Sequence, residues 1–528
     1  MECSCIRQTD LPHTSKLFAD LVYHFDRVED LYPWRPNSLT AIEQAARATQ
    51  NAFPDDHRAA IVSALTPLNN GNPSLEKLAR PGVVAIVTGQ QVGLFSGPAY
   101  TVYKALTAIK IARQLDAKGI PAVPVFWLAT EDHDLAEVDH VYVFGADHQP
   151  VRLAAKHPAA NGTRPVGGVV LEDLPLADLR AALAGLPFAD EAAALVTHAY
   201  QPGSTMGAAF AALIRELFAP YGLLLIDPMD PGIRAVAAPF MAEAVLRMPE
   251  LVEALTARNA ALAARGYHAQ VLVDKQTSLA FLLEDGHRIA LKHANGDFAT
   301  HHRKWTAAEL STRAASLSPN ALLRPVLQDY LLPTAAYVGG PAELAYLAQS
   351  RVLYDKLLGR QPVAFPRAGF TLRDDRAAKR MRRYKLELPG LLTNDQTLQA
   401  AMSAQLVPAE LRASLASTQQ AISLALDSLS TDLGGFDVSL NGALATSRRK
   451  IEYQMGKIAR KTASQMMARD EQAAVDAKSL SGLVFPEKHL QERLYSIVPF
   501  LARFGPGLIQ EIYDQVEIES PDHRVLTV

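Results

Sequence analysis

The stretch of sequence that decides the fold is Val83 to Phe144, VVAIVTGQQVGLFSGPAYTVYKALTAIKIARQLDAKGIPAVPVFWLATEDHDLAEVDHVYVF. It opens with Val83 to Val87, an apolar run rich in β-branched residues that is too short for a helix. A second apolar run, Ala122 to Leu128, directly precedes a cluster of polar residues. Each run is typical of a buried strand.

A glycine-rich turn and a helix connect these two predicted strands. The glycines are Gly89, Gly93 and Gly97. Pro98 then suits the first turn of a helix, and apolar residues recur every three or four positions as far as about Leu115. Strand, turn, helix and strand form a βαβ unit, whose right-handed crossover places both strands parallel in one sheet.

Polar residues follow both predicted strands. Thr88-Gly89-Gln90-Gln91 comes after the first strand, and Glu131-Asp132-His133-Asp134 comes after the second. Because open α/β sheets bind ligands at the carboxyl ends of their strands, we expect both clusters at one site. The same order of strand, glycine, proline and helix recurs within Leu322 to Leu347. The two copies favour one α/β core with insertions over two independent domains.

The composition is that of an ordinary globular protein, with 49% hydrophobic residues, 20% charged residues and a formal net charge of −3. This balance predicts neither a nucleic-acid nor an acidic-membrane partner. The N-terminus lacks the pattern of a secretion signal, and no apolar run approaches the roughly 18 residues of a membrane span. We therefore expect a cytoplasmic protein. Cys3 and Cys5 lack the remaining ligands of a zinc site, so we expect no metal site there.

Four regions are predicted along the chain. They are an N-terminal helical segment packed on the core (1–80), an α/β core (81–375) with insertions at about 145–200 and 265–320, a helical coiled-coil domain (376–485) and a C-terminal segment that returns to the core (486–528). Leucine and isoleucine recur at coiled-coil spacing on both sides of Gly434-Gly435. We expect these glycines to break the helix, so that two long helices form an antiparallel hairpin. Pro486 to Gly507 is expected to pack on the core as a helix.

The glycine turn is neither a P-loop nor a dinucleotide fingerprint, because its glycines are spaced G-x-x-x-G-x-x-x-G. Backbone amides at the start of a helix nevertheless suit a phosphate or a carboxylate, and Gln90 and Gln91 add neutral donors and acceptors. Thr88, Gly89 and Gly97 complete this candidate anion site. The alternative is that the glycines only allow the helix and the sheet to pack closely.

The cluster Glu131, Asp132, His133 and Asp134 is the candidate catalytic group. It could supply a general base, a magnesium site or a carboxylate that recognises an amine. Alternatively, Asp132 or Asp134 caps the next helix. A cap requires only one such residue, and four polar residues after so apolar a strand favour a site.

Arg324, Gln328 and Asp329 fall on a short predicted helix in the second unit. From there Arg324 would hold a carboxylate or a phosphate in the same cleft. The alternative is that Arg324 and Asp329 pair and stabilise the helix. Gly339 and Gly340 open the helix that follows and are further candidates for binding an anion.

Four segments together resemble one known family, the BshC family of cysteine ligases in bacillithiol biosynthesis. The segments are TGQQVGLFSGPAYTVYKALTAIKIA, PVFWLATEDHDLAEVDHVYVF, LLRPVLQDYLLPTAAYVGGPAELAYLAQ and FPEKHLQERLYSIVPFLARFG. The resemblance covers nearly the whole chain. It implies a Rossmann-like core similar to nucleotidyltransferases and class I synthetases, with inserted connecting segments, an α-helical coiled coil and a homodimer.

The resemblance also implies a reaction, the joining of L-cysteine to the amine of glucosaminyl malate by an amide bond. Amide formation from a free carboxylate is uphill in water, so cysteine must be activated, and ATP with Mg²⁺ is the expected source. The chain has no HIGH or KMSKS signature, which leaves an adenylate and an acyl phosphate both open. The region between coiled coil and core, near Gln491, Glu492, Arg493 and Tyr495, is a candidate for a second nucleotide site.

Two other functions remain open at this point. One is a nucleotidyl- or glycosyl-type transferase on the same core, which would need a nucleotide-sugar but no cysteine. The other is a dimeric scaffold that binds the ligand without catalysis.

Overall fold

The structure is a computed structural model, which describes residues 2–156, 163–274, 276–294, 297–437 and 439–528. The N-terminal region contains one strand and four helices, β1 (Glu2–Ile6), α1 (Lys16–Tyr23), α2 (Leu39–Ala52), α3 (Asp55–Asn69) and α4 (Pro73–Leu78). Side-chain oxygens of Ser15, Ser38 and Asn72 cap α1, α2 and α4. The four helices pack around the central sheet, so this region is part of the core layer.

The first half of the core follows the predicted βαβ pattern. Its elements are β2 (Val84–Gln90), α5 (Tyr100–Ala117), β3 (Ala122–Leu128), α6 (Leu135–Val138), β4 (His140–Phe144), β5 (Pro150–Ala154), α7 (Leu176–Leu183), α8 (Ala189–Ala199), α9 (Met206–Phe218), β6 (Leu224–Ile226), α10 (Pro231–Leu246) and α11 (Met248–Ala264). Every residue of β3 is buried, because helices cover both faces of the sheet.

A second insertion forms an antiparallel sheet of its own. It contains β7 (Thr277–Glu284), β8 (His287–Ala294), β9 (Asp297–Ala299), β10 (Lys304–Thr306), α12 (Ala307–Thr312) and β11 (Leu317–Pro319). The strand order is β10-β9-β8-β7-β11. Asp285 and Gly286 both have positive φ, +51° and +75°, which suits the two-residue turn between β7 and β8.

The central sheet is parallel, with strand order β13-β12-β2-β3-β6. The chain returns to it through α13 (Arg324–Leu331), β12 (Thr334–Gly339), α14 (Pro341–Leu357) and β13 (Val363–Pro366). Numbered by their order along the chain, the five strands run 3-2-1-4-5 across the sheet, which is the order of a Rossmann-like fold. The predicted α/β core is therefore confirmed, and the strand order reverses between β2 and β12.

The C-terminal half is mostly helical. It contains β14 (Phe370–Arg373), α15 (Asp375–Arg383), α16 (Leu388–Leu391), α17 (Asp395–Leu406), α18 (Ala409–Phe436), α19 (Leu440–Arg469), α20 (Glu471–Val484), α21 (Gln491–Leu494), α22 (Val498–Phe504), α23 (Leu508–Asp514) and β15 (His523–Thr527). The predicted coiled-coil hairpin is formed by α18 and α19. The helix continues through Gly434-Gly435 to Phe436, so the predicted break at these glycines is wrong.

The end of the chain returns to the core, as predicted, but not as one helix. Pro486 to Gly507 forms short helical pieces, because Glu487 and Lys488 have positive φ and Gly505 ends α22 at φ +88°. The last strand, β15, lies between β1 and β14, so the two ends of the chain share one sheet. Within the described ranges, no helix is both long enough and apolar enough to cross a membrane.

Candidate active site

A cleft of about 700 Å³ opens at the carboxyl ends of β2, β3 and β12. The strand order reverses here, and this reversal is where open α/β sheets bind their ligands. The second insertion and the C-terminal segment form the outer walls, since Arg288 and Arg493 also line the cleft. Its volume is within the range of roughly 300–1,000 Å³ that is typical of small-molecule sites.

A buried ion pair between Lys104 on α5 and Glu343 on α14 forms the floor of the cleft. Lys104 also donates hydrogen bonds to the carbonyl oxygen of Gly89 at 2.8 Å and to Gln90 Oε1 at 2.9 Å. Glu343 accepts one from the amide of Gly340 at 2.8 Å. Burial lowers the pKa of Lys104, and the charge of Glu343 opposes this effect. The pair thus joins the turn after β2 to the turn after β12.

Glu131 is a deeply buried acid of the cleft, with only 4% of its surface exposed. Its Oε2 accepts a hydrogen bond from Ser318 Oγ at 2.8 Å, whereas Oε1 has no hydrogen-bond partner in the described part of the chain. Burial raises the pKa of Glu131, and Arg288 and the Ser318 hydrogen bond act in the opposite direction. A carboxyl in such an environment exchanges its proton closer to neutral pH than an exposed one.

Arg288 reaches the cleft from β8 of the second insertion. Its Nε donates to Ser318 Oγ at 3.0 Å, and its Nη2 donates to the carbonyl oxygen of Pro319 at 2.8 Å. Its Nη1 lies 3.1 Å from His133 Nδ1 and 3.6 Å from Asp132 Oδ1. Arg288 therefore connects the insertion to the polar turn that follows β3.

The four residues of that turn have different surroundings. Glu131, Asp132 and His133 line the cleft, but Asp134 is exposed outside it. Gln91 Nε2 donates to Asp132 Oδ2 at 2.8 Å, which joins the two predicted clusters. Asp134 occupies the N-cap position of α6 without a side-chain capping bond, and Asp132 does not cap this helix either. The capping alternative thus holds for the position of Asp134 but not for a side-chain capping bond, and Asp134 is separated from its three neighbours.

The turn after β2 has two parts. Gly89, Gln90 and Gln91 line the cleft, whereas the part from Gly93 to Gly97 is buried away from it. The amide of Gly97 donates to the carbonyl oxygen of Leu94 at 2.9 Å, and the amide of Ala99 donates to that of Tyr495 at 2.7 Å. The amide of Gly97 is therefore engaged within its own turn, and the amide of Ala99 is engaged by the C-terminal segment, so neither is free to bind an anion. Gly97 has φ +62°, a backbone conformation that favours glycine.

Arg324 lines the cleft beside Trp127 and Tyr337. Its Nη1 donates to Gln328 Oε1 at 3.0 Å, and its Nη2 donates to the Tyr337 hydroxyl at 3.2 Å. No ion pair joins Arg324 to an acid in the ranges that the structure covers. Gln328 and Asp329 are fully buried behind it and hydrogen-bond each other at 3.0 Å. They therefore support Arg324 without reaching the cleft, and the predicted pair of Arg324 with Asp329 does not form.

Three further predicted residues lie at the ends of β2 and β12. Thr88 is fully buried, and its Oγ1 donates to the carbonyl oxygen of Val338 at 2.8 Å, which joins the two strands. Gly340 lines the cleft, and Gly339 lies just behind it. A Cβ at Gly339 would lie 3.0 Å from the end of the Leu344 side chain, so a larger residue there requires Leu344 to shift. Of the three, only Gly340 can contact a ligand in the cleft.

The C-terminal segment contributes two charged groups. Arg367, just after β13, forms a buried two-pronged ion pair with Glu492 on α21, at 2.5 and 2.9 Å. Arg493 is exposed at the rim of the cleft, and no ion pair or side-chain hydrogen bond is found for it within the described ranges. Gln491 and Tyr495 are buried, and their side chains bond to backbone groups such as Leu372 and Gly482. Neither can contact a nucleotide, so of these candidates only Arg493 is available.

A smaller cavity of about 230 Å³ adjoins the cleft and shares Pro341, Arg367 and Arg493 with it. Lys488 and His13 also line this cavity. In the ranges that are described, no group of three or more His, Cys, Asp or Glu side chains is arranged to hold a metal ion.

Several residues of the cleft were missed from the sequence. They are Tyr100, Lys104, Arg288, Glu343 and Arg367, together with the buried Ser318 that hydrogen-bonds Glu131. The sequence could have indicated Lys104 as a site residue, because it is a charged residue in the largely apolar first half of the helix after the glycine turn. Arg288 and Ser318 had none, since both lie in strands whose position against the core depends on the tertiary fold.

Sequence comparison agrees with this architecture along the whole chain. The model of the family Bacillithiol biosynthesis BshC, N-terminal Rossmann-like domain, matches residues 1–368, and the model of its C-terminal coiled-coil domain matches residues 370–528. A protein of Solibacter usitatus is 51% identical over 528 residues, which is 100% of both chains. A protein of Koribacter versatilis is 35% identical over 99% of both chains, and one of Symbiobacterium thermophilum is 33% identical over 94% of both. All three carry the name "Putative cysteine ligase BshC".

Proposed function

This chain belongs to the BshC family, and from that premise we propose that it is a ligase of bacillithiol biosynthesis. Its reaction joins the carboxyl group of L-cysteine to the amine of glucosaminyl malate through an amide bond. ATP with Mg²⁺ supplies the free energy by activating the cysteine carboxylate. The nucleotidyl- or glycosyl-type transferase and the scaffold are the outcomes to be separated by experiment.

The observation that carries the proposal is the charge balance of the cleft. Three of its cations face an acid, in the pairs Lys104 with Glu343, Arg288 with Asp132, and Arg367 with Glu492. Arg324 and Arg493 have no such partner among the described residues. Two unpaired guanidinium groups suit a ligand with two carboxylates, which is what the malate part of glucosaminyl malate offers.

Glu131 is the proposed acceptor of the proton from the attacking amine. An amine must lose a proton as it forms an amide, and a general base is most effective when its pKa lies near the working pH. Burial moves the pKa of Glu131 upward in that direction. Ser318 holds one of its oxygens and leaves Oε1 unbonded.

The bond formed, the bond broken and the proton released in this reaction can all be accounted for with these groups. The amine nitrogen forms a bond to the cysteine carbonyl carbon, and the bond from that carbon to the activating phosphate oxygen breaks. The phosphate leaves with the bonding electron pair, and the amine proton passes to Glu131. Arg324 and Arg493 hold the malate carboxylates during this step.

A nucleotide is accommodated better in the cavity beside the rim of the cleft than at the glycine turn after β2. The turn has its amides engaged at Gly97 and Ala99. The adjoining cavity instead has Lys488 on its wall, and a cationic side chain suits phosphate oxygens, while Arg493 at the shared rim stays with the malate. We place the nucleotide phosphates there, next to the cleft.

The test is a mass-spectrometric assay of the full-length protein with glucosaminyl malate, L-cysteine, ATP and Mg²⁺. Bacillithiol should form with matching AMP and pyrophosphate, or with ADP and phosphate if the intermediate is an acyl phosphate. Glu131→Gln should reduce the rate by about 10²–10⁴-fold. Asp134→Asn is the matched control, because that carboxyl lies nearby but outside the cleft, and its rate should remain within about twofold of the wild type.

Two results would contradict the proposal. Binding of glucosaminyl malate without any turnover, whatever the nucleotide, would favour the scaffold. Consumption of a nucleotide-sugar without cysteine would favour the transferase.

A further inference from the structure

Arg288 and His133 form a contact that decides which nitrogen of the imidazole carries the proton. Arg288 Nη1 lies 3.1 Å from His133 Nδ1. A guanidinium group has only N–H donors and no acceptor. His133 Nδ1 must therefore accept this hydrogen bond, and in the neutral ring the proton lies on Nε2.

The residues around His133, Phe281 and Asp132, are consistent with Nδ1 as the acceptor of the Arg288 hydrogen bond. Phe281 lies beside both groups, with its ring centroid 5.7 Å from that of His133 and 3.9 Å from the Arg288 guanidinium carbon. Asp132 Oδ1 is 3.8 Å from Nδ1, beyond hydrogen-bond distance, and it already accepts the backbone amide of His133 at 2.8 Å. Arg288 and Asp132 are the charged groups that contact His133 here. Arg288 is itself fixed by Ser318 and Pro319.

We propose that Arg288 is a positioning residue that fixes His133 as the Nε2–H tautomer, and that His133 is a catalytic residue that donates a hydrogen bond to the carbonyl oxygen of the activated cysteine. This inference rests on the proposed function, since it names the role of a further side chain in the same cleft. His133 lines the cleft, and 35% of its side chain is exposed, so the ring can contact a ligand there.

The chemistry of amide formation requires such a donor. When the amine attacks the carbonyl carbon, the π electrons of the carbonyl move to its oxygen, and negative charge develops there. The Nε2–H group stabilises that charge, and the carbonyl bond forms again as the phosphate leaves. His133 keeps its Nε2 proton throughout, because the carbonyl oxygen needs only a hydrogen bond and not a proton, and Nδ1, engaged by Arg288, does not take up the amine proton. The proton of the amine passes to Glu131.

The tautomer can be measured without any activity. In the full-length protein with ¹⁵N-labelled histidine, two-bond proton–nitrogen correlation spectra distinguish a protonated from an unprotonated ring nitrogen. The His133 signals are assigned by their loss in His133→Gln. We expect the Nε2–H pattern in the wild type and a mixture of tautomers in Arg288→Met. If Arg288→Met does not fold, the wild-type spectrum decides alone, and an Nδ1–H pattern there would overturn the proposal.

The catalytic role is tested by comparing two substitutions at His133 in the bacillithiol assay. His133→Ala removes the donor and should lower kcat by about 10²–10³-fold, whereas the KM for cysteine should change little. His133→Gln keeps an N–H donor, so it should recover at least about tenfold of that loss. His198→Gln is the control. His198 is an exposed histidine that pairs with Glu216 and does not line the cleft, so the rate of this variant should match that of the wild type.

The outcomes separate the proposal from the proposed function. Equal loss in His133→Gln and His133→Ala would contradict the donor role, because only the glutamine variant keeps an N–H donor. Wild-type rates in both variants would also contradict it. If the wild type itself makes no bacillithiol, the proposed function fails, and the spectra still decide whether Arg288 fixes the tautomer.

Discussion

Lys104 and Glu343 form a buried ion pair that joins the two strand–helix turns on either side of the strand reversal. Lys104→Met should therefore leave the Glu343 carboxylate without its counter-charge. We expect the free energy of unfolding in urea to fall by about 3 kcal/mol, at the low end for buried pairs because 23% of the Glu343 side chain is exposed. The double variant with Glu343→Gln should lose less than the sum of the single variants.

The control for this cycle is an exposed pair of the same type. Lys118 pairs with Glu43 on the surface, with 47% of its side chain exposed. Lys118→Met should change the free energy of unfolding by less than about 0.5 kcal/mol. Equal effects of Lys104→Met and Lys118→Met would contradict the structural role of the buried pair.

Glu131 should make stability depend on pH. Because its folded-state pKa is raised above the unfolded value, the folded protein binds this proton more tightly than the unfolded chain. The stability from that proton is fully present below the unfolded pKa and is lost as the pH rises through the folded pKa. Glu131→Gln, which resembles the protonated form, should thus have a higher Tm than the wild type at about pH 8 and an equal Tm near pH 4. Thermal unfolding across this range checks the difference, and a constant offset would contradict it.

Arg493 should determine affinity for a dianionic acceptor without affecting the fold. Since it is exposed and unpaired within the described ranges, Arg493→Ala should leave Tm within about 1 °C. Binding of glucosaminyl malate, measured by calorimetry, should weaken about 10- to 100-fold, and the loss should shrink at high salt. Lys461→Ala removes the same charge from the coiled coil and should leave the affinity unchanged. Equal affinities of Arg493→Ala and the wild type would show that another group binds the second carboxylate.

The coiled coil should mediate the proposed homodimer. No residue of α18 is buried within one chain, and its Leu411 and Leu429 are 41% and 43% exposed. A second copy packed on this hairpin would cover them. Leu429→Glu should therefore shift the mass measured by light scattering from dimer to monomer, and Ser417→Glu, on a polar position of the same helix, should not. A monomeric wild type would contradict the prediction.

The central elements could be predicted from sequence because local signals decide them. The apolar run of β3 was placed at Ala122–Leu128, which is also where the structure has it. Apolar periodicity likewise placed α5 and the coiled-coil pair. The helix through Gly434-Gly435 was missed because packing between α18 and α19 outweighs the intrinsic cost of two glycines.

Only part of the candidate site could be predicted from the sequence. Polar residues after a buried strand gave Glu131, Asp132 and His133, since the topology of parallel sheets places strand ends together. The engagement of the Ala99 amide by Tyr495 depends on a contact between segments that are far apart in sequence. Arg288 is likewise brought in by an insertion whose orientation no local pattern encodes.

The pairing of β1 with β15 has a consequence for how this protein is made. Strand β1 leaves the ribosome long before its partner β15 has been translated, because roughly 520 residues separate the two strands. At about 5–20 residues per second, β1 waits roughly half a minute to two minutes for β15. The start of α5 waits a shorter time, roughly 20 to 80 seconds at the same rates, for the carbonyl oxygen of Tyr495 that accepts the Ala99 amide. A chain released before Tyr495 is translated thus lacks the segment that engages the start of α5 and that places Arg493 at the rim of the cleft.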